Sequence, residues 1–236
     1  MDTNQNQKNR TVLITGAAGR LGFEMAKECL DLGYHVVIHY RTSDEPAASF
    51  FRDDRRASFI KADLTKSPQK FMEEVRALPT PPLEGLINSA ALFKTGDLSS
   101  PAHFNDILTI NTLVPIQLTA EFTKAVKTGW VINITDARVR PMNKKYQSYR
   151  VSKLFLDEIT KQMAFLYAPL IRVNAIAPGV ILPSAEETMP QFENLLASIP
   201  LGNAGNPNNI RQALRFLIEN DYVTGSIIPV DGGWHL

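Results

Sequence analysis

The chain has 236 residues and a formal net charge of +1, and 44% of its residues are hydrophobic. This length allows one large α/β domain with a sizeable core, and the balanced charge gives no indication of nucleic-acid binding. A single cysteine, Cys29, excludes an intrachain disulfide and favours a reducing, cytoplasmic compartment. The sequence has no apolar run long enough for a membrane span. Polar residues 1–10 predict a frayed tail and exclude a signal peptide.

Short apolar segments alternate with helical patterns along the chain. The predicted strands are residues 12–15, 34–40, 57–61, 83–87, 130–134, 171–177 and 226–230. Helices are predicted from the glycine turn at 16–22 through residue 32, and over residues 104–127, 146–167 and 207–220. This alternation predicts a parallel sheet with helices on both faces. No linker or repeat interrupts it, so we expect one domain over residues 11–236.

A glycine-rich turn follows the first predicted strand. Its sequence is Thr15-Gly16-Ala17-Ala18-Gly19-Arg20-Leu21-Gly22. A strand, a glycine turn and a helix form the setting in which helix amides bind a dinucleotide pyrophosphate. We expect Gly16 to allow the tight turn and Gly22 to allow close packing of the helix. Arg20 opposes the helix macrodipole by about 0.3–1 kcal/mol unless a phosphate is bound, and an arginine that simply points to solvent is an equal alternative.

The end of the second predicted strand favours NADP(H) over NAD(H). An NAD site usually places Asp or Glu there, to bond the ribose 2′-hydroxyl. This chain has Tyr40-Arg41-Thr42-Ser43 instead. Arg41 can form paired hydrogen bonds with a 2′-phosphate, and two hydroxyl groups follow it. An exposed loop arginine is the alternative interpretation.

Tyr149 and Lys153 are the candidates for proton transfer. Their i, i+4 spacing puts both side chains on one face of the predicted helix. An ammonium beside a phenol favours phenolate, so we expect Lys153 to lower the pKa of Tyr149 from its reference value of about 10. Such a phenol can transfer a proton at neutral pH. The pair alone is weak evidence, because Tyr-x-x-x-Lys also occurs by chance on helices.

Further motifs occur in a fixed order along the chain. They are Asp63-Leu64, Asn88-Ser89-Ala90-Ala91, Asn111, Asn133-Ile134-Thr135-Asp136, Pro178-Gly179 and Asp231-Gly232-Gly233. Together with the glycine turn and the Tyr149/Lys153 pair, they make residues 10–236 resemble the short-chain dehydrogenase/reductase superfamily. The resemblance implies a doubly wound Rossmann fold, with a mostly parallel seven-stranded sheet and helices on both faces. It also implies an oxidoreductase that is commonly a homotetramer.

The resemblance implies roles for individual residues. Asn111 would hold a proton-relay water, and Lys153 would also bind the nicotinamide ribose. Asp63 and Leu64 would contact the adenine, and Asn88 and its neighbours would lie along the cofactor. The full set implied or predicted to bind NADP(H) is Gly16, Arg20, Leu21, Tyr40, Arg41, Thr42, Ser43, Asp63, Leu64, Asn88, Ser89, Ala90, Tyr149, Lys153, Pro178 and Gly179.

Two departures from the superfamily pattern resemble the pteridine reductase and dihydromonapterin reductase branch. Arg20 stands where the family usually has glycine, and Asp136 stands where it usually has serine. The segment His39-Tyr40-Arg41 also fits that branch. So does Phe93, which this resemblance implies stacks on a pterin, although core packing is the alternative for an isolated phenylalanine. Arg20 would face both the pterin and the cofactor phosphate.

The chemistry of Asp136 supports this narrower resemblance. A serine hydroxyl can donate a hydrogen bond to a ketone oxygen as negative charge grows there, whereas an ionised aspartate can only accept one. An ionised aspartate suits the N–H groups of a pterin, and a protonated one would need a raised pKa. We predict hydride transfer from NADPH to a C=N bond, with Asp136, Tyr149, Lys153 and Asn111 as the catalytic set. The predicted substrate-binding set is Arg20, Phe93, Asp136 and Tyr149.

Other interpretations stay open. The runner-up is a carbonyl or 3-oxoacyl thioester reductase of the same superfamily, and a remote alternative is a non-enzymatic NADP(H)-binding regulator. Thr135 is the rival of Asp136 for the serine role, although it lies one residue off the family spacing. The resemblance implies that residues 181–200 form a substrate lid. His35 and His39 are treated as structural, and no group of residues has metal-ligand spacing.

Overall fold

The computed structural model describes residues 8–140, 144–182 and 189–236. The strands in these ranges are β1 (Thr11–Thr15), β2 (His35–Tyr40), β3 (Ala57–Lys61), β4 (Leu83–Asn88), β5 (Gly129–Ile134), β6 (Ile171–Pro178) and β7 (Ile227–Val230). They pair in parallel in the order β3-β2-β1-β4-β5-β6-β7. The predicted Rossmann sheet is confirmed, and each predicted strand end lies within one residue of the observed one.

The helices are more numerous than the sequence patterns predicted. They are α1 (Arg20–Asp31), α2 (Ala47–Phe51), α3 (Pro68–Ala77), α4 (Pro101–Leu108), α5 (Val114–Ala125), α6 (Gln147–Tyr167), α7 (Met189–Leu196) and α8 (Pro207–Glu219). A short 3-10 turn, Lys144–Tyr146, precedes α6. α2, α3 and α7 were not predicted. The single helix predicted over residues 104–127 is α4 and α5 joined by a π-helical turn, Thr109–Leu113.

The two faces of the sheet bury separate hydrophobic clusters. Val12 and Ile14 of β1 point into the cluster that includes α1 and α8, while Leu13 points into the cluster with α3, α5 and α6. Strands covered on both faces are buried along their whole length, which is why β1 reads as a continuous run without alternation. The helices thus leave the carboxyl ends of the central strands as the accessible edge.

A buried ion-pair network fixes α1 against α8. The carboxylate of Glu28 on α1 is only 3% exposed. It accepts hydrogen bonds from Arg211 Nε and Arg215 Nε of α8, each at 2.7 Å. A carboxylate at this depth requires such partners, because an unpaired buried charge is strongly destabilising. The network therefore holds in place the helix that follows the glycine turn.

The frayed tail predicted for residues 1–10 is wrong for its last part. The backbone N–H of Lys8 donates to Gly33 O at 2.8 Å, and Lys8 Nζ donates to the Tyr34 hydroxyl at 3.1 Å. Residues 1–7 lie outside the described residues. Within the described ranges, no helix combines the length and the apolar character needed to cross a bilayer.

Candidate active site

The motif residues gather at the carboxyl ends of the central strands. Thr15 of β1 pairs with Asn88 of β4, and Asn88 pairs with Asn133 of β5. The chain order reverses between β1 and β4, and in open parallel sheets this switch point is where ligands bind. The glycine turn and the catalytic motifs therefore lie side by side.

The glycine turn has the geometry predicted from its sequence. Gly16 has φ +66°, and a Cβ there would lie 2.8 Å from Ala90 Cα. A Cβ on Gly22 would lie 2.3 Å from Gly16 O, so this helix position accepts only glycine without a shift of the backbone. Gly16 N–H donates to His39 Nδ1 at 3.1 Å. The predicted roles of both glycines are confirmed, and His39 supports the turn as a structural residue.

The start of α1 fits a dinucleotide pyrophosphate. Its N-cap residue, Gly19, supplies no side-chain hydrogen bond, and the first turn contains no acidic residue. The first-turn amides and the positive end of the helix dipole are thus suited to an anion. Arg20 is exposed and has φ +53°, a left-handed conformation that costs about 1–2 kcal/mol for a residue with a side chain. Leu21 follows it and is partly buried.

The predicted 2′-phosphate loop lies beyond β2. Arg41, Thr42 and Ser43 are exposed, and Tyr40 is the partly buried last residue of the strand. The pKa of Asp63 lies below its usual value, chiefly because Thr65 donates hydrogen bonds to it, and the positive charge of Arg41 contributes. Arg41 therefore lies near enough to Asp63, in the loop after β3, for its charge to act on that carboxylate, whereas Leu64 is buried.

The Asn88 side chain points into the protein, so a contact with the cofactor at this position would have to come from the backbone. Its Nδ2 donates to Asn133 Oδ1 at 2.9 Å. The backbone N–H groups of Ser89 and Ala90 donate to the Thr15 hydroxyl at 3.0 and 3.1 Å. The amide of Asn88 therefore ties strand ends together, and this segment meets the glycine turn through Ala90.

Asp136, Tyr149 and Lys153 form a compact buried cluster. The Tyr149 hydroxyl donates to Asp136 Oδ2 at 3.1 Å, and the backbone N–H of Arg138 donates to Asp136 Oδ1 at 2.7 Å. Lys153 is 3% exposed, and its Nζ donates to Ile134 O at 2.6 Å. The structure thus brings these three predicted catalytic residues together, with the aspartate in direct contact with the tyrosine.

The expectation that Lys153 lowers the pKa of Tyr149 is wrong for this structure. Burial is the main cause that raises the pKa of Tyr149 well above 10, and the charge and hydrogen bond of Asp136 raise it further. The ammonium of Lys153 is bonded to a backbone carbonyl instead of the phenol. Tyr149 is therefore a neutral hydroxyl at physiological pH, which suits a proton donor.

Burial shifts the pKa values of Asp136 and Lys153 in opposite directions. It raises the pKa of Asp136, against the hydrogen bonds from Arg138 and Tyr149 and the charges of Lys153 and Arg150. It lowers the pKa of Lys153 to about 8, against the negative charges of Asp136 and Asp157. A cluster of buried groups shifted in this way is typical of sites that move protons.

Asn111 lies within the π-helical turn and is fully buried. Its Oδ1 accepts from Leu92 N–H at 2.7 Å, and its Nδ2 donates to Leu92 O and to Ser152 Oγ at 3.1 and 3.0 Å. The amide thus ties the loop after β4 to α6. A relay water would have to bond to the backbone of this turn, and π-helical turns are frequent at functional sites.

Thr135, the rival of Asp136, is directed elsewhere. Its hydroxyl donates to Ile176 O at 3.4 Å, and the residue is buried behind the cluster. Asp136 is therefore the residue that meets Tyr149 from β5.

Sequence reasoning missed the aromatic partner of Phe93. Phe93 is 51% exposed and stacks on Tyr146, with ring centroids 4.7 Å apart and planes 19° from parallel. The edge of Tyr149 meets the same ring at 4.7 Å. The signal was present, since Tyr146 precedes Tyr149 by three residues and so lies on the same side of the chain entering α6.

The far side of the site is closed by the C-terminal segment. Gly179 N–H donates to Val230 O at 2.9 Å, and a Cβ on Gly179 would lie 2.6 Å from Asp231 Cβ. Pro178, before it, is the last residue of β6. Trp234 packs on the guanidinium of Arg138 at 4.4 Å and donates from Nε1 to Ser198 Oγ at 2.9 Å. Of the lid implied for 181–200, residues 183–188 lie outside the described residues.

Comparison with known proteins agrees with this geometry. A family model described as enoyl-(acyl carrier protein) reductase matches residues 16–235. Protein FixR of Bradyrhizobium diazoefficiens is 30% identical, over 96% of this chain and 87% of that protein. A dihydromonapterin reductase of an Enterobacter species is 27% identical, over 97% of this chain and 98% of that protein.

Among solved structures, FolM alternative dihydrofolate reductase 1 from Brucella suis, in complex with NADP, is similar over its whole length. The TM-score is 0.89 and the identity 32%, over 96% of this chain and 95% of that chain. The family model and the similar structure both cover the region that carries the sequence motifs. The chain therefore belongs to the short-chain dehydrogenase/reductase family of oxidoreductases.

Proposed function

We propose that the protein is an NADPH-dependent reductase that delivers hydride to a C=N bond of a dihydropterin, of the dihydromonapterin or dihydrofolate type. The observation that carries this proposal is the contact between Asp136 and the Tyr149 hydroxyl. It places a hydrogen-bond acceptor where a ketone reductase needs a donor. The names of two relatives, a dihydromonapterin reductase and an alternative dihydrofolate reductase, support the same substrate class.

The cofactor proposal depends on residues at both ends of the site. The amides at the start of α1 would bind the pyrophosphate, and Arg41 with Thr42 and Ser43 would bind a 2′-phosphate. The similar Brucella suis structure is a complex with NADP. When bound, NADPH supplies the hydride. Lys153 would contact the ribose next to the nicotinamide.

Aromatic side chains favour a flat substrate. The exposed ring of Phe93 and its partner Tyr146 form a wall beside the Tyr149 hydroxyl. A planar heterocycle can stack against such a wall, with a gain of about 0.5–1.5 kcal/mol beyond the buried area. Its N–H edge would then reach the carboxylate of Asp136, and the exposed guanidinium of Arg20 would face its other side.

Tyr149 is the proton donor of this proposal. Its raised pKa keeps the phenol protonated at neutral pH, so a proton is available when the substrate nitrogen becomes basic. Asp136 orients the hydroxyl by accepting its hydrogen bond and takes part in the proton relay. The backbone of the π-helical turn at Asn111 would hold the relay water.

A second candidate is reduction of a carbonyl or a 3-oxoacyl thioester. The raised pKa of Asp136 favours it, because a protonated carboxyl group could donate a hydrogen bond to a ketone oxygen. The hydrogen bonds that Asp136 already accepts from Tyr149 and from Arg138 N–H favour the ionised form and hence the pterin.

The experiment that separates the two is NADPH oxidation with a dihydropterin and, in parallel, with an acetoacetyl thioester. We expect turnover of the dihydropterin, and a fall of roughly 100-fold or more in its kcat/KM for Asp136→Ser. Asp136→Asn is the matched control that keeps the shape and one acceptor oxygen. Turnover of the thioester alone, or full pterin activity in Asp136→Ser, would overturn the proposal. Absence of both activities would favour a non-enzymatic regulator.

We also propose that the protein is a homo-oligomer, a tetramer by family resemblance, and cytoplasmic. Leu113 in the π-helical turn and Phe155 on α6 are large apolar side chains left exposed on packed helices, which supports association. The lone cysteine, Cys29, is buried and its thiol has a raised pKa, consistent with a chain that makes no disulfide. Light scattering of the purified protein measures the oligomeric state directly.

A further inference from the structure

The ammonium of Lys153 is almost completely shielded from solvent. Its Nζ donates a hydrogen bond to a backbone carbonyl, Ile134 O, which is a dipole and not a counter-charge. A buried ammonium without nearby negative charge loses its proton readily. Two carboxyl groups act on Lys153 among the described residues, and they belong to Asp136 and Asp157.

These two carboxyl groups belong to different parts of the fold, the loop after β5 and the helix α6. Asp136 faces the cleft and is bonded to the Tyr149 hydroxyl. Asp157 follows Lys153 by one helical turn on α6, so both side chains share a face of that helix. Asp157 therefore acts on Lys153 from within the same helix.

Asp157 is itself held in an unusual position for an acid. Its Oδ1 is buried and has no hydrogen-bond partner among the described residues. Burial raises the pKa of Asp157, while the nearby Thr135 hydroxyl and the charges of Lys161 and Lys153 oppose that rise. A buried carboxylate oxygen without a partner is unfavourable, so a purely structural role explains this position poorly.

Lys153 and Asp157 are surrounded by only a few charged groups among the described residues. Lys153 faces the charges of Asp136 and Asp157, and Asp157 faces Lys153, Lys161 and Asp136. Lys161 lies one further turn along α6. Asp157 is thus the acid next to Lys153 that makes no contact with Tyr149.

We propose that Asp157 is a positioning residue that keeps Lys153 in its charged form at neutral pH. Because burial lowers the pKa of Lys153 to about 8, the ammonium form is only just maintained at neutrality. Removing the negative charge of Asp157 lowers that pKa further. The charged form, and every step that needs it, is then lost at lower pH than in the wild type.

The first test is the pH dependence of kcat with a dihydropterin, which depends on the proposed function. We expect the alkaline midpoint of Asp157→Asn to move about one pH unit towards acid. Asp157→Glu, which restores the charge, should return it close to the wild-type value. The matched control is Glu158→Gln, which removes the same charge from the next residue, an exposed acid bonded to Gln162. It should leave the midpoint unchanged.

The second test needs no substrate, so its failure differs from a failure of the proposed function. Unfolding free energy is measured against pH in the wild type and Asp157→Asn, and again in a Lys153→Met background. We expect Asp157→Asn to change the pH dependence at alkaline pH, where Lys153 titrates, only when Lys153 is present; the loss of the titration of Asp157 itself affects acid pH in both backgrounds. If the amide variant does not fold, Asp157→Ser replaces it. The inference is overturned by an unchanged midpoint in Asp157→Asn, by an equal shift in Glu158→Gln, or by the same change in the Met background.

Discussion

The glycine turn (residues 16–22) and the catalytic cluster of Asp136, Tyr149 and Lys153 meet at one edge of the sheet, but they are built differently. In the turn, backbone atoms approach so closely that a single added carbon at Gly16 or Gly22 would collide with its neighbours. In the cluster, ionisable side chains are enclosed by the protein and their pKa values are shifted by burial. The stability of the turn depends on close packing and should not change with pH. The stability of the cluster depends on charge, because burying ionised groups is unfavourable, and it should change with pH.

The largest expected effect comes from removing the buried charge with Lys153→Met. We expect the rate to fall by about 100-fold or more if Lys153 assists proton transfer. The same change should increase stability by up to about 3 kcal/mol at pH 7, because the folded protein disfavours the ammonium relative to the unfolded chain. Stopped-flow kinetics and urea unfolding measure the two effects.

The size of this stability gain should change with pH in a defined window. The lowered pKa of Lys153, about 8 against 10.5, means that the wild type carries the cost of the buried ammonium below pH 8. That cost disappears as the pH rises from about 8 towards 10.5, so the advantage of the Met variant should shrink over this range. A gain that is constant with pH would show that packing, and not charge, is responsible.

Gly22→Ala tests the other region and should have an intermediate effect. Because its Cβ would lie 2.3 Å from Gly16 O, we expect a loss of about 1–3 kcal/mol in unfolding free energy. Gly19→Ala is the matched control, since its Cβ would meet Pro46 Cδ at an ordinary 3.7 Å. Equal thermal melting shifts for the two variants would contradict the account of the turn.

Arg20 belongs to the glycine turn and also carries a charge, so it combines the two features compared above. Its replacement should have the smallest effect on stability. Arg20→Gly should stabilise the protein by about 1 kcal/mol, because glycine adopts φ +53° without strain. We expect NADPH to bind roughly tenfold more weakly through the loss of a charge-assisted contact. Arg20→Ala removes the charge but keeps the strain, so calorimetry of both variants separates the two contributions.

The central strands were predicted almost to the residue because they are covered on both faces and read as apolar runs, as β1 does, and the partly buried edge strands β3 and β7 were located from short apolar segments. The motifs located Asp136, Tyr149 and Lys153 because the fold fixes their spacing, with Asp136 two residues past the end of β5 and the other two on α6. The direction of the pKa shift of Tyr149 was not predictable from spacing, because it depends on the depth of burial and on where Lys153 Nζ finds its acceptor. The same limit applies to the inward turn of Asn88 and to the π-helical turn around Asn111, both of which depend on tertiary contacts.

The position of Trp234 has a practical consequence. The chain contains two tryptophans, and the other one, Trp130, is buried at the start of β5, at the opposite edge of the sheet from the site. Trp234 instead lies between the loop that follows Asp136 and the residues after α7. Replacing Trp130 with phenylalanine would leave one tryptophan beside the cleft, which can be excited selectively above the absorption of the tyrosines. Its emission would report cofactor and ligand binding without any added label.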